Sequence, residues 1–67
     1  MEGRRMRIRI HFSNTSVILN NLSNGDVEEI VADLNENKNF SVTVDGEYPL
    51  RMLINPVMVT YVEISGE

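Results

Sequence analysis

From Arg5 to Phe12 the side chains alternate without a break, with Met6, Ile8, Ile10 and Phe12 apolar and Arg5, Arg7, Arg9 and His11 between them. A period of two is that of a β-strand, whose successive side chains leave opposite faces. This stretch is expected to be a half-buried strand, and the rest of the chain must cover its apolar face while leaving the arginine face outside. Ser13, Asn14, Thr15 and Ser16 follow. Their short polar side chains bond to nearby backbone and favour a turn. Val17, Ile18 and Leu19 then resume the apolar pattern, so the first two strands form a hairpin. Met6 reads as an alternative start, which would make residues 1–5, MEGRR, an extension outside that hairpin.

Leu22 to Leu34 is expected to be a helix. Val27, Ile30, Val31 and Leu34 stand at i, i+3, i+4 and i+7 and form one apolar stripe. Ser23 is a natural N-cap, and Asp26 three residues later completes an approximate capping box. Leu22 is placed to staple onto Val27. Asp26, Glu28 and Glu29 favour the positive end of the helix dipole. The stop falls in NENKN, from Asn35 to Asn39, where Asn37 or Asn39 is suited to the left-handed conformation that ends a helix.

Phe40, Val42 and Val44 alternate with Ser41 and Thr43, and Asp45-Gly46 after them is a two-residue hairpin signal. Pro49 cannot donate to a ladder, so Tyr48 and Pro49 belong at an edge, at a bulge or before the returning strand, Leu50 to Ile54. Asn55-Pro56 breaks the chain again. Val57 to Ile64 reads as a last strand with Val57, Val59 and Tyr61 on one side and Met58, Val62 and Ile64 on the other. Both of its sides are then largely apolar.

The expected fold is α+β, a single domain over residues 1–67. Its order is β-β-α-β-β-β, and its antiparallel sheet of four to five strands has one helix packed on one face. One helix cannot cover both faces of such a sheet, and a symmetric copy of the chain is the commonest solution. A chain of 67 residues buries only about 60% of the surface that its unfolded form exposes. Small domains make up the shortfall with disulfides, a metal or self-association. With no cysteine and a single histidine, only self-association is left. Met58, Val59, Tyr61 and Val62 are the expected oligomer interface.

The net charge of -4 argues against nonspecific nucleic-acid binding. It hides an asymmetry, because Arg4, Arg5, Arg7 and Arg9 crowd the start while Asp26, Glu28, Glu29, Asp33 and Glu36 crowd the middle. Without a run of about 18 apolar residues or a signal-peptide core, the expectation is a soluble, cytoplasmic protein with no membrane contact. Zero cysteine carries no disulfide framework pointing to secretion.

The Arg5, Arg7, Arg9 and His11 row is the expected partner-binding face. It suits phosphates or an acidic protein surface, and equally an edge strand charged against aggregation. Sheets that bind nucleic acid usually offer aromatic platforms on the same face, and Phe12 falls on the other one. His11 has no second histidine, cysteine or fixed carboxylate at a useful spacing for catalysis or metal binding. Asp45, Gly46 and Glu47 are a turn and lack the ligand spacing of a calcium loop. The glycines are too scattered to cradle phosphates, and no nucleophile turn occurs. The acidic outer side of the helix is what an amphipathic surface helix carries by default. No catalytic residue, metal or cofactor is therefore expected.

The run LINPVMVTYVEI, preceded by VDGEY, resembles the C-terminal half of several small uncharacterised bacterial and phage-encoded proteins. In these a short strand, an Asn-Pro or similar turn and a strand ending in Val-Glu recur. The resemblance covers about a third of the chain and implies a compact accessory protein of phage or mobile-element type that acts by binding a host or viral component. The function expected from the whole is a non-enzymatic protein-binding or assembly module, a homodimer or higher oligomer. Nucleic-acid binding through Arg5, Arg7 and Arg9 is the alternative, and sequestration of a small ligand at a subunit interface is a third.

Overall fold

The computed structural model describes residues 4–67. It is an α+β fold of five antiparallel strands and one helix, in the order β1 (Met6–His11), β2 (Ser16–Leu22), α1 (Asn24–Asn35), β3 (Phe40–Val44), β4 (Leu50–Ile54) and β5 (Tyr61–Gly66). The strands divide into two sheets. One has the order β2-β1-β5, and the other is the β3-β4 hairpin. Of the extension expected at 1–5, residues 1–3 lie outside the described residues, and the Arg5 carbonyl accepts from the Glu67 N–H at 3.1 Å.

The alternation in β1 sets the layers. Ile8 and Ile10 are fully buried and lie in one core with Leu19 of β2, Val27 and Ile30 of α1, Phe40 and Val42 of β3, and Ile54 of β4. Helix and hairpin thus share the task of covering the inner face of the three-stranded sheet. Each buried side chain of this size contributes about 1.5–3 kcal/mol relative to exposure.

β2 keeps its apolar side inward with the help of a bulge. Ile8 pairs with Leu19 but Met6 pairs with Leu22, so one extra residue enters β2. Asn21 takes up the excess with φ 61, a conformation asparagine adopts more readily than most residues. The shift returns Leu22 to the inner side, where it packs against the core.

The helix start is as expected. Ser23 accepts from the Asp26 N–H at 3.1 Å, and Asp26 accepts from the Ser23 N–H at 3.2 Å. At the other end Asn37 takes the left-handed position, φ 59. The Lys38 N–H then reaches the Asp33 carbonyl at 2.9 Å and the Asn37 N–H reaches Leu34 at 3.2 Å, which closes the helix in a Schellman motif.

The expected single sheet of four to five strands is split into two, and two further expectations require correction. Asp45-Gly46 is not a two-residue turn: Val44 pairs with Leu50, the connection runs from Asp45 to Pro49, and no described glycine has positive φ. A two-residue turn would pair Val42 with Pro49, which has no N–H, and Phe40 with Arg51. It would also send Leu50, Met52 and Ile54 to the outer side. The observed register pairs Phe40 with Ile54 and Val42 with Met52, so the apolar alternation overrides the turn signal.

The last strand is also shorter than expected at its start. Pro56–Met58 is a turn of 3₁₀ helix, capped by the Asn55 side chain accepting from the Val57 N–H at 3.1 Å, and the strand runs only from Tyr61. Proline is pre-organised for a first helical position, and its missing N–H disfavours a ladder there. β5 is consequently not apolar on both sides. Val62 and Ile64 lie opposite the inward Ile10 and Ile8, while Tyr61, Glu63 and Ser65 lie opposite the outward His11, Arg9 and Arg7.

Candidate functional site

Because directly opposed residues of an antiparallel pair share a face, the registers of β1 define the outer face of the three-stranded sheet. Arg7, Arg9 and His11 run down its middle. Ile18 and Ser16 of β2 stand opposite Arg9 and His11, and Ser65, Glu63 and Tyr61 of β5 flank the other side. Neither the helix nor the hairpin covers this face, since both lie on the inner side with Ile8 and Ile10.

The His11 and Tyr61 rings stack with centroids 4.0 Å apart and planes 11° from parallel. His11 Nε2 is 2.7 Å from Glu63 Oε1. Glu63 stands directly opposite Arg9 in the ladder, yet its carboxylate turns diagonally to the histidine. Arg7 Nε donates to Asn20 Oδ1 at 2.9 Å. Among the described residues no arginine forms an ion pair with a carboxylate, and the one ion pair of a lysine with a carboxylate is Lys38–Glu36. Two open depressions adjoin the row. One, of about 300 Å³, is lined by Arg7, Arg9, Glu63, Ile64 and Ser65; the other, of about 560 Å³, lies between the β1-β2 turn and the His11–Tyr61 stack.

The row expected from the sequence is thus one surface, with Arg7, Arg9 and His11 brought together on it and Arg5 exposed immediately before β1. The set expected as the oligomer interface is dispersed. Val59 and Val62 pack against the core, Met58 is exposed in the 3₁₀ turn, and Tyr61 lies on the arginine face. What the sequence did not show is that the basic face carries an aromatic platform. The available signal was Tyr61 itself, but its side depends on the pairing of β5 with β1.

A second exposed surface lies along the hairpin's return and the turn after it. Tyr48 is 85% exposed, Leu50 58%, Leu53 78%, Val57 71% and Met58 64%. β4 pairs only with β3, so its other edge has no strand beside it. A cleft of about 280 Å³ between β2, α1 and β3, lined by Leu19, Ile30, Val42, Asp26 and Glu29 among others, falls at the lower limit for small-molecule pockets, roughly 300 Å³.

Among the described residues no three of histidine, cysteine, aspartate and glutamate gather where they could hold a metal ion. No described helix is long and apolar enough to cross a membrane. The fold and its surfaces define a small α+β domain with a basic, aromatic sheet face and an apolar edge strand. Compared with family models, curated proteins and solved structures, the chain has no match.

Proposed function

We propose that this protein is a non-enzymatic binding and assembly module that forms a homodimer through the segment Tyr48–Met58. The observation that carries this reading is the concentration of exposed apolar side chains on and beside a strand with one free edge: Leu50 and Leu53 on β4, Tyr48 before it, and Val57 and Met58 in the turn after it. Natural edge strands are usually protected by charge, proline or a bulge. Between Pro49 and Pro56, β4 offers only Arg51. Antiparallel pairing of β4 with its own copy about Met52 sets Leu50 of one protomer opposite Ile54 of the other and joins two hairpins into a four-stranded sheet. Such an interface is self-complementary, as a two-fold axis requires. A second copy is favoured over a foreign chain because a small domain without disulfides gains stability by this route.

The reading replaces the expected covering of a two-sided β5, since the apolar surplus is on β4 and the following turn. It agrees with the accessory role that the C-terminal resemblance implies. Light scattering coupled to size-exclusion chromatography tests it, with a dimer expected at high micromolar concentration. In the register about Met52, Leu53 stands opposite Arg51 of the partner subunit, so Leu53→Lys sets two pairs of like charges across the axis and is expected to raise the dissociation constant about tenfold. A monodisperse monomer of the unmodified chain overturns the reading.

A further inference from the structure

We propose that the outer face of the β2-β1-β5 sheet binds single-stranded nucleic acid, with Arg5, Arg7 and Arg9 holding successive phosphates and Tyr61, backed by His11, stacking on a base. This goes beyond self-association and uses a different surface.

Three observations carry it. The arginines are exposed and, among the described residues, have no carboxylate partner within ion-pair distance, so a phosphate need not displace an internal ion pair. Their two-residue repeat along a strand is about 6.8 Å, close to the separation of successive phosphates in an extended single strand. At the end of the row the stacked His11 ring covers one face of Tyr61, which remains 54% exposed. β5 is an edge strand, so the ring face turned away from His11 has no strand beside it. An aromatic platform beside a cationic track is what sequence-tolerant binding of single strands requires.

The acidic groups of the chain do not cancel this surface. Of the carboxylates nearest the row, Glu63 bonds to His11, and Glu67 accepts from the Asn21 N–H at 2.6 Å. The acids of the helix belong to an element packed on the inner side of the sheet, opposite the arginine row. Exposed charges further apart than the screening length at physiological ionic strength, ~8 Å, act on one another only weakly. The basic row therefore acts on a ligand locally despite the net charge of -4. An acidic protein segment would satisfy the arginines but would leave the stacking platform without a use, which favours a ligand that has bases.

The test is fluorescence anisotropy of labelled oligothymidylate and oligouridylate with the full chain, titrated with salt. Three phosphate contacts on a single strand give a slope of about −2 in log K against log salt, or roughly a twentyfold loss between 50 and 200 mM. Arg7→Gln is expected to reduce that slope by about 0.7. Tyr61→Ala is expected to weaken binding about fivefold or more with the slope unchanged, as loss of one stacked base predicts, and Tyr61→Phe to retain the affinity. Circular dichroism of each variant establishes that it is folded, and Tyr61→Phe keeps the aromatic test open where Tyr61→Ala is not. Absence of binding at 50 mM salt overturns the proposal. So does equal competition by polyglutamate, which offers negative charge and no base to stack.

Discussion

Adjacent residues of β1 should respond to truncation in opposite ways. Ile8 is 0% exposed and lies in the core between β2 and β5, whereas Arg9, the next residue, is exposed on the other face. Ile8→Val removes one buried methylene equivalent, about 0.8 kcal/mol by transfer alone, and a small cavity raises the cost to about 0.5–1.5 kcal/mol. Arg9→Ala removes no buried contact and should stay within about 0.5 kcal/mol of the unmodified chain. For a 67-residue domain, total stability is on the order of 3–10 kcal/mol, so the valine variant forfeits a measurable share of it. Urea unfolding followed by circular dichroism resolves the difference. With a slope near 1 kcal/mol per molar, Ile8→Val should lower the midpoint by about 1 M, and Arg9→Ala by less than half of that. Protein concentration is held constant, because the proposed self-association would make apparent stability depend on it. If Arg9→Ala cost more than Ile8→Val, the inward and outward sides of β1 would be reversed and the arginine face would not be a free surface.

The remaining predictions concern local structure and use the same unfolding assay. Ser23→Ala removes one half of the capping box and should cost about 1 kcal/mol. Asn37→Ala removes the short polar side chain that lets asparagine tolerate φ 59 and should cost up to about 1 kcal/mol, whereas Asn37→Gly should be neutral or stabilising. At the β2 bulge, Asn21→Val should cost more than Asn21→Gly, because a β-branched residue is strongly disfavoured at φ 61. Equal effects of valine and glycine there would contradict the assigned conformation.

Features whose cause is local were legible in the sequence. The alternation of Arg5 to Phe12, the stripe Val27, Ile30, Val31 and Leu34, and the Ser23/Asp26 cap each report on a few neighbouring residues, and each appears where its pattern placed it. Misreadings occurred where a local signal competed with a distant one. Asp45-Gly46 favours a tight turn, but Pro49 and the need to keep Met52 and Ile54 inward shift the pairing by three residues relative to that turn. Asn55-Pro56 was recognised as a break, yet the 3₁₀ turn it starts absorbed Val57 and Met58, which alternation alone assigns to a strand. The His11–Tyr61–Glu63 cluster was not legible at all. Its members meet across 52 residues of chain between His11 and Glu63, and their side depends on the register of β5 against β1.

Under the two proposals the surfaces should respond to salt in opposite directions, which makes their assignments separable. Association through Leu50, Leu53, Val57 and Met58 rests on removing apolar area from water, and excluded salts such as sulfate strengthen it. Phosphate binding at Arg5, Arg7 and Arg9 rests on counterion release and weakens as salt rises. The surfaces also belong to different elements, the hairpin with its following turn in one case and the outer side of the β2-β1-β5 sheet in the other. A Leu53→Lys chain should therefore self-associate more weakly while its arginine face is untouched, and an Arg7→Gln chain should bind the oligonucleotide with a smaller salt slope while its self-association is unchanged. If both variants lost both properties, the arginine face would be assembled only in the oligomer. Its binding would then be a property of the interface rather than of the sheet.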